Sequence, residues 1–364
     1  MKYDNYWFST SSAELNYSLS LPEKVDIAII GGGFGGIALL FQLLRHGFKN
    51  VVLLEEYTLG FKNTGRSTGQ ITLTGGSQYF TQYKDKKFAN EYLKMTLQSI
   101  RQLNKSLEPL DCDFEQAGGL HLAKKEEELE FLKGEAEFLN NHDVCAVHID
   151  KKDVKNLIGS DMFIGGIFIP CEATINPYKM FLSTKKQLNG FQNLIYQNAK
   201  VEYVDNHDLL IAERGVLKAD KIVYCSGPKL IPKLKTQTQN VFHQVVTSAK
   251  GNVPNMNVTY NYNSNRIRTH NGHFLLDCVS KSRKIIDTSL LQKQMDELAL
   301  GITGVCSYNE VVSKDGIPLV GSVSDHEFVM LGHDLSQACL GAASILNCIK
   351  SGKQSQLFNP LREM

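Results

Sequence analysis

Three glycines and one carboxylate, Gly31, Gly33, Gly36 and Glu55, have the types and spacing to hold a pyrophosphate and a ribose. Gly31 permits a tight turn, Gly33 lets the backbone approach an anion, and Gly36 lets a helix pack closely on a strand. The helix N-terminus beside them offers unpaired N–H groups to that anion. Glu55, 19 residues past Gly36 (55 − 36), can accept from ribose hydroxyls and would repel a 2′-phosphate. The elements that must position these groups occur in order. Val25–Ile30 reads as a buried strand, Ile37–His46 as a helix that Gly47 ends, and Val51–Leu54 as a second strand closing on Glu55.

Other familiar catalytic constellations are missing. There is no Ser/His/Asp or Cys/His signature, and His270 and His273 form an H-x-x-H in a β-like segment without further acidic or cysteine support, so a structural role is expected and no metal. Eight cysteines are scattered from Cys112 to Cys348 with no C-x-x-C, as buried free thiols in a reducing compartment would be. The 364 residues suit two domains, and 42% hydrophobic residues can build a sizeable core. A net charge of +1 gives no footprint for nucleic acid. No apolar run approaches the ~20 residues a membrane span needs. The opening Met1–Leu21 is polar and aromatic, unlike a secretory signal, so a cytoplasmic location is expected.

Along the chain, Gly60–Gln70 is a glycine-punctuated polar loop. Helices are expected at Asp85–Leu107, Lys124–Asn140, Asp153–Ile158 and Pro177–Leu188, the last capped by Asn176. Strands are expected at Gly119–Ala123, Lys200–Val204, Leu209–Ala212, Val216–Leu217, Lys221–Ser226 and Phe328–Leu331. Alternation over 241–288 suggests an antiparallel sheet, and a last helix runs from Ser336 to Lys350.

Four motifs in order make the chain resemble the D-amino-acid oxidase-like superfamily of FAD-dependent amine oxidoreductases, in particular its gamma-glutamylputrescine oxidase, glycine oxidase and sarcosine oxidase group. They are the glycine run with Glu55, the loop Leu59–Gln70, the strand Ala219–Gly227, and Asp315–Gly321 followed by Phe328–His333. Gly118–Ala123 and Ile175–Pro177 match at smaller scale, and the opening Asn5-Tyr-Trp7 resembles the gamma-glutamylputrescine oxidase branch. The resemblance implies an α/β protein with a discontinuous Rossmann-like FAD-binding domain (20–80, 171–232 and 314–364). An inserted, mainly antiparallel β-sheet substrate domain would take 81–170 and 233–313, with 1–19 as an extension.

It also implies FAD held by Gly31, Gly33, Phe34, Gly35 and Gly36 at the pyrophosphate, and by Glu55 or its neighbour Glu56 at the ribose. Val201 would meet the adenine through its backbone, and Ser226-Gly227 would lie near the diphosphate. Thr64, Gly65, Arg66, Ser67, Gly69 and Gln70 would line the flavin ring, with Gly332, His333, Leu335 and Ser336 at its pyrimidine edge. Arg66 and His333 are the catalytic candidates. Arg266 or Arg268 could hold a substrate carboxylate in bidentate fashion. Cys306 offers a covalent flavin link, but its position fits the family pattern poorly and non-covalent FAD is favoured. The family's later glycines are absent from 332–338. The implied activity is oxidation of a C–N bond in a small amine or amino acid, with oxygen as the expected electron acceptor. A hydroxyacid dehydrogenase and a non-catalytic flavin-binding protein are the alternatives.

Overall fold

The structure, a computed structural model of the chain, describes residues 2–3, 5–10, 20–74, 78–187, 194–251, 257–280, 301–332 and 334–362. The chain forms two compact units, each assembled from three stretches. One comprises Ser12–Gly65, Met180–Asn240 and Glu310–Met364; the other comprises Met1–Ser11, Arg66–Lys179 and Val241–Asn309.

The first unit is built on a largely parallel sheet. Lys24–Ile30 lies between Val51–Leu54 and Gly215–Tyr224, parallel to both, and Glu327–Leu331 runs parallel on the far side of Gly215–Tyr224. Strands covered on both faces carry nearly continuous apolar sequence, as Val25, Ile27, Ala28, Ile29 and Ile30 show, each 5% exposed or less. Ala28, Val52, Ile222, Tyr224, Val329 and Leu331 belong to one core cluster of this sheet. The helices Phe34–Arg45 and Ala338–Ser351 pack against each other. The first helix begins three residues earlier than expected, because Gly33 adopts the extended conformation of an N-cap. Val216–Leu217 and Lys221–Ser226 are not separate strands: with no breaker between them, Gly215–Tyr224 forms one ten-residue strand. The last helix is prefaced by a 3₁₀ turn, Leu335–Gln337, capped by Asp334.

The second unit carries a nine-stranded sheet, in the order 2–3, 302–313, 238–248, 273–280, 265–270, 257–260, 119–123, 165–169 and 147–150 among the described residues. It is mainly antiparallel, with Asn257–Tyr260 and Gly119–Ala123 joined in parallel. The expected 241–288 alternation is seen as far as Ser280; 281–300 lies outside the described residues. Register separates two faces. Leu276, Ile267, Val258 and Leu120 form one row and belong to an apolar cluster. Asp277, Arg266, Thr259 and His121 form the next row on the opposite face. That second row is polar and at most 7% exposed. All eight cysteines are free thiols. No helix among the described residues is long and apolar enough to cross a membrane.

Candidate functional site: a nucleotide cradle and a buried polar face

In the parallel-sheet unit, a cavity of about 230 Å³ opens where the glycine turn leaves the first strand. Its lining includes Gly31, Gly33, Thr64, Ser226, Gly227 and Gly332. The three fingerprint glycines differ in what they permit. Gly31 sits at φ +112°, and a Cβ there would stand 2.8 Å from the Cys225 carbonyl oxygen. A Cβ on Gly36 would come 2.0 Å from the Gly31 carbonyl oxygen, so the helix can lie this close to the turn only without a side chain. Gly33 is different: its backbone is ordinary, and an added Cβ would meet only Thr64 Oγ1, at 3.6 Å. Gly35 and Phe34 are buried in the first helical turn, and the Phe34 N–H reaches Thr64 Oγ1 at 3.4 Å.

Glu55 is 8% exposed and braces the turn. Its Oε2 accepts from the Gly32 N–H at 2.7 Å and its Oε1 from the Tyr57 N–H at 2.9 Å. Burial raises its pKa, and those two hydrogen bonds oppose the rise without cancelling it. Glu56 does not share this role; it pairs with the exposed Lys62 at 2.6 Å. Val201 is a half-buried strand residue opposite Ile211. At the other wall, Gly332 is left-handed at φ +69°. Asp334 accepts from the Leu335 N–H, and Gln337 returns a side-chain oxygen to the Asp334 N–H at 3.2 Å. Leu335 and Ser336 are buried behind this cap, and the Ser336 hydroxyl has no hydrogen-bond partner among the described residues. His333 lies outside the described residues. Asp315 of the fourth motif serves the frame: it holds Arg362 through two 2.9 Å bonds, while Arg362 also reaches the Ile317 carbonyl. Against the upward push of burial, the Arg362 hydrogen bond holds the Asp315 pKa below its usual value.

In the sheet-based unit, the loop residues Arg66–Gln70 are tied down one by one. Arg66 donates to the Ser307 carbonyl at 3.0 Å, and the Ser67 carbonyl accepts from Trp7 Nε1 at 2.7 Å. Gly69 is left-handed at φ +72°, with Ile175 O 2.2 Å from where its Cβ would be. Gln70 is buried, donating to Asn257 Oδ1 at 2.6 Å and accepting from Thr68 Oγ1 at 2.9 Å. Its amide thus stitches sheet strands together. Thr64 and Gly65, the start of the same loop, fall in the first unit, where Gly65 lies against the Gly60 carbonyl.

Arg266 and Arg268 are not the solvated strand arginines that strand position alone suggests; they are 7% and 3% exposed. Arg268 donates to the carbonyls of Thr68, at 2.8 Å, and of Ile175. Burial lowers its pKa to about 10. Sequence reading missed the groups beside them. Asp277, wholly buried, takes His243 Nδ1 at 3.0 Å and the Tyr308 hydroxyl at 3.3 Å, and the His243 and Tyr308 rings stack at 4.4 Å. His121, also wholly buried, lies between Glu172 at 3.0 Å and the Tyr79 hydroxyl at 2.8 Å. The legible signal was alternation: Arg266, Arg268 and His270 occupy every second position of one strand. His270 and His273 are structural, bonding Tyr6 and Asp113 in one case and the Ser248 carbonyl in the other. No cluster of metal-ligating side chains exists among the described residues. Cys306 is 5% exposed.

These features fit FAD. A glycine turn with room for a Cβ at Gly33, a helix N-terminus and the buried acceptor Glu55 line one cavity, a donor and acceptor set compatible with a pyrophosphate and a ribose. The comparisons agree. A family model described as "FAD dependent oxidoreductase" (DAO) matches residues 26–344. The "Probable oxidoreductase OrdL" of Haemophilus influenzae is 26% identical over 231 residues, 60% of this chain and 53% of that protein. The "Gamma-glutamylputrescine oxidoreductase" of Escherichia coli K12 is 21% identical, over 62% of this chain and 55% of the relative. The chain therefore spans about half the length of these curated relatives. The crystal structure of L-proline dehydrogenase from P. horikoshii superimposes with a TM-score of 0.78 at 18% identity, covering 94% of this chain and 98% of that one. With the family match spanning most of its length, the chain belongs to the DAO family of FAD-dependent oxidoreductases.

Proposed function

We propose that this protein oxidises the C–N bond of a small amine or amino acid, with FAD bound non-covalently and oxygen as the final electron acceptor. The observation that carries the reading is the nucleotide cradle, where the glycine turn lines a cavity beside the buried acceptor Glu55. Bound FAD supplies the hydride acceptor. Gly33 and the first turn of the helix Phe34–Arg45 would hold its pyrophosphate, and Glu55 would accept from its ribose. Arg66 supplies positive charge, and the helix that starts near Ser336 adds the partial charge of its N-terminus. His333 stands beside that terminus in sequence and is the second catalytic candidate. Arg266 and Arg268, already desolvated, hold a substrate carboxylate better than exposed arginines do. The substrate loses hydride from the carbon bonded to nitrogen and a proton from the nitrogen, giving an imine that water hydrolyses to a carbonyl compound and a free amine.

Gamma-glutamylated amines, N-methylated amino acids and simple amino acids are the panel to test, with hydroxyacids beside them. Anaerobic mixing with the right amine should bleach the yellow colour, and air should restore it with formation of peroxide. The rate should rise with pH, since only the neutral amine has the lone pair that expels hydride. Bleaching by hydroxyacids alone would overturn the amine reading. Failure of every compound would favour a non-catalytic flavoprotein. Acid precipitation should release the flavin; colour retained in the pellet and lost in Cys306→Ala would instead establish a covalent link.

A further inference from the structure

The short turn Tyr6–Ser9 is held far more firmly than a four-residue helix needs to be. Trp7 is 0% exposed, and its indole N–H donates to the Ser67 carbonyl at 2.7 Å. The Arg268 guanidinium lies over the Trp7 ring at 5.0 Å, within cation–π range. Arg268 then donates to Thr68 O, the next carbonyl of the loop. Two consecutive carbonyls, Ser67 and Thr68, are thus fixed by Trp7 and by a cation that Trp7 covers.

The turn is tethered at both ends of this contact. The Tyr6 hydroxyl meets His270 Nδ1 at 2.8 Å, and His270 Nε2 meets Asp113 at 3.1 Å. Thr10 Oγ1 accepts from Asn176 Nδ2 at 3.0 Å, and Asn176 itself caps the helix at Pro177. Phe8 packs on Tyr178 at 4.7 Å between ring centres. Tyr6 thus anchors on His270, Trp7 on the loop and Phe8 on Tyr178.

We infer that Trp7 is a positioning residue for the loop Arg66–Gln70, with Tyr6 as its tether, so that the N-terminal turn straps the loop into its binding geometry. This rests on the reading that the loop contacts FAD, and it adds a determinant over 50 residues away in sequence. Releasing the strap leaves the nucleotide cradle intact but lets the loop backbone wander.

The test uses the full chain. Trp7→Phe keeps an aromatic ring over Arg268 and removes the N–H donor. In protein freed of FAD, hydrogen exchange of the Ser67–Gln70 amides should quicken about tenfold. FAD affinity should fall about fivefold, the worth of one hydrogen bond, and the visible circular dichroism of bound FAD should change. Phe8→Leu is the stability control: it should lower the melting temperature yet leave loop exchange and FAD affinity at wild-type values. Tyr6→Phe keeps Trp7, the chain's one tryptophan, and should make its fluorescence more accessible to acrylamide while quickening loop exchange. It carries the test if Trp7→Phe fails to fold. Unchanged loop exchange in these variants, or an equal loss of affinity in Phe8→Leu, would overturn the strap. A wild-type protein that binds no FAD would overturn the cofactor reading alone, with the strap then judged on exchange and quenching.

Discussion

Gly33→Ala separates binding from folding at a single methyl group. The backbone at Gly33 has φ −71° and ψ −176°, a conformation alanine adopts freely. The new Cβ would meet one atom within 4 Å, Thr64 Oγ1 at 3.6 Å, which is ordinary van der Waals contact. Folding stability should therefore stay within about 0.5 kcal/mol of wild type, or rise slightly as the unfolded chain loses freedom. On the proposed reading the methyl would crowd the phosphate, and crowding of that kind costs ~1–3 kcal/mol. FAD should bind about 5- to 150-fold more weakly. Gly36→Ala makes the contrast. Its Cβ would stand 2.0 Å from the Gly31 oxygen, about 1 Å inside any tolerable contact. Neither side can yield, since Ile37, Leu39 and Leu40 are at most 2% exposed. That variant should lose both stability and FAD. Urea unfolding of the FAD-free protein and fluorescence titration with FAD measure the two quantities. A Gly33→Ala protein with wild-type FAD affinity would refute the argument, because the open space above Gly33 would then belong to no ligand.

Three further perturbations follow from single groups. Glu55→Ala should weaken FAD by ~1–3 kcal/mol, the scale of a charge-assisted hydrogen bond; in wild type, affinity should fall with decreasing pH from a point above the usual glutamate range, because burial raises this carboxyl and protonation removes the acceptor. A pH-independent titration would place the ribose elsewhere. Asp315, lowered by Arg362 against burial, contributes stability that is full above the ordinary carboxylate value and is lost as pH falls through its own lower value; Arg362→Gln should destabilise at neutral pH and flatten the acid limb of the unfolding curve below about pH 4. Gly134 sits in the exposed interior of the helix Glu126–Asn140 with nothing near its missing Cβ, so Gly134→Ala should stabilise by about 0.5–1 kcal/mol in thermal melts.

What could be read from the sequence was whatever is decided within a short stretch of chain. The turn at Gly31, the close approach at Gly36 and the carboxylate ending the next strand are all set within 25 residues: Gly31 is at positive φ, Gly36 lies against the Gly31 carbonyl, and Glu55 accepts from the Gly32 N–H. The Asn176 cap was equally local. Register across strands is not local. Asp277, Arg266, Thr259 and His121 form one polar row only because four strands align, and nothing in any one strand announces its neighbours. Arg268 illustrates the same limit. Alternation places it on one face of its strand, but its burial depends on Trp7, Thr68 and Ile175, which arrive from three other segments. Glu56 shows the limit of adjacency: it follows Glu55 in sequence, and its carboxylate pairs with Lys62.

The parallel sheet also sets a schedule for synthesis. Lys24–Ile30 finds one neighbour at once in Val51–Leu54, but its other edge waits for Gly215–Tyr224, with Lys24 opposite Lys218. At roughly 5–20 residues per second, those 194 residues (24 to 218) leave an apolar strand edge open on the ribosome for about 10–40 s. Glu327–Leu331 arrives later still to cover the far side of Gly215–Tyr224. An open edge of Val, Ile and Ala is a template for pairing with the wrong chain. Yield in recombinant expression should accordingly respond more to translation speed and chaperone supply than to the equilibrium stability of the finished protein.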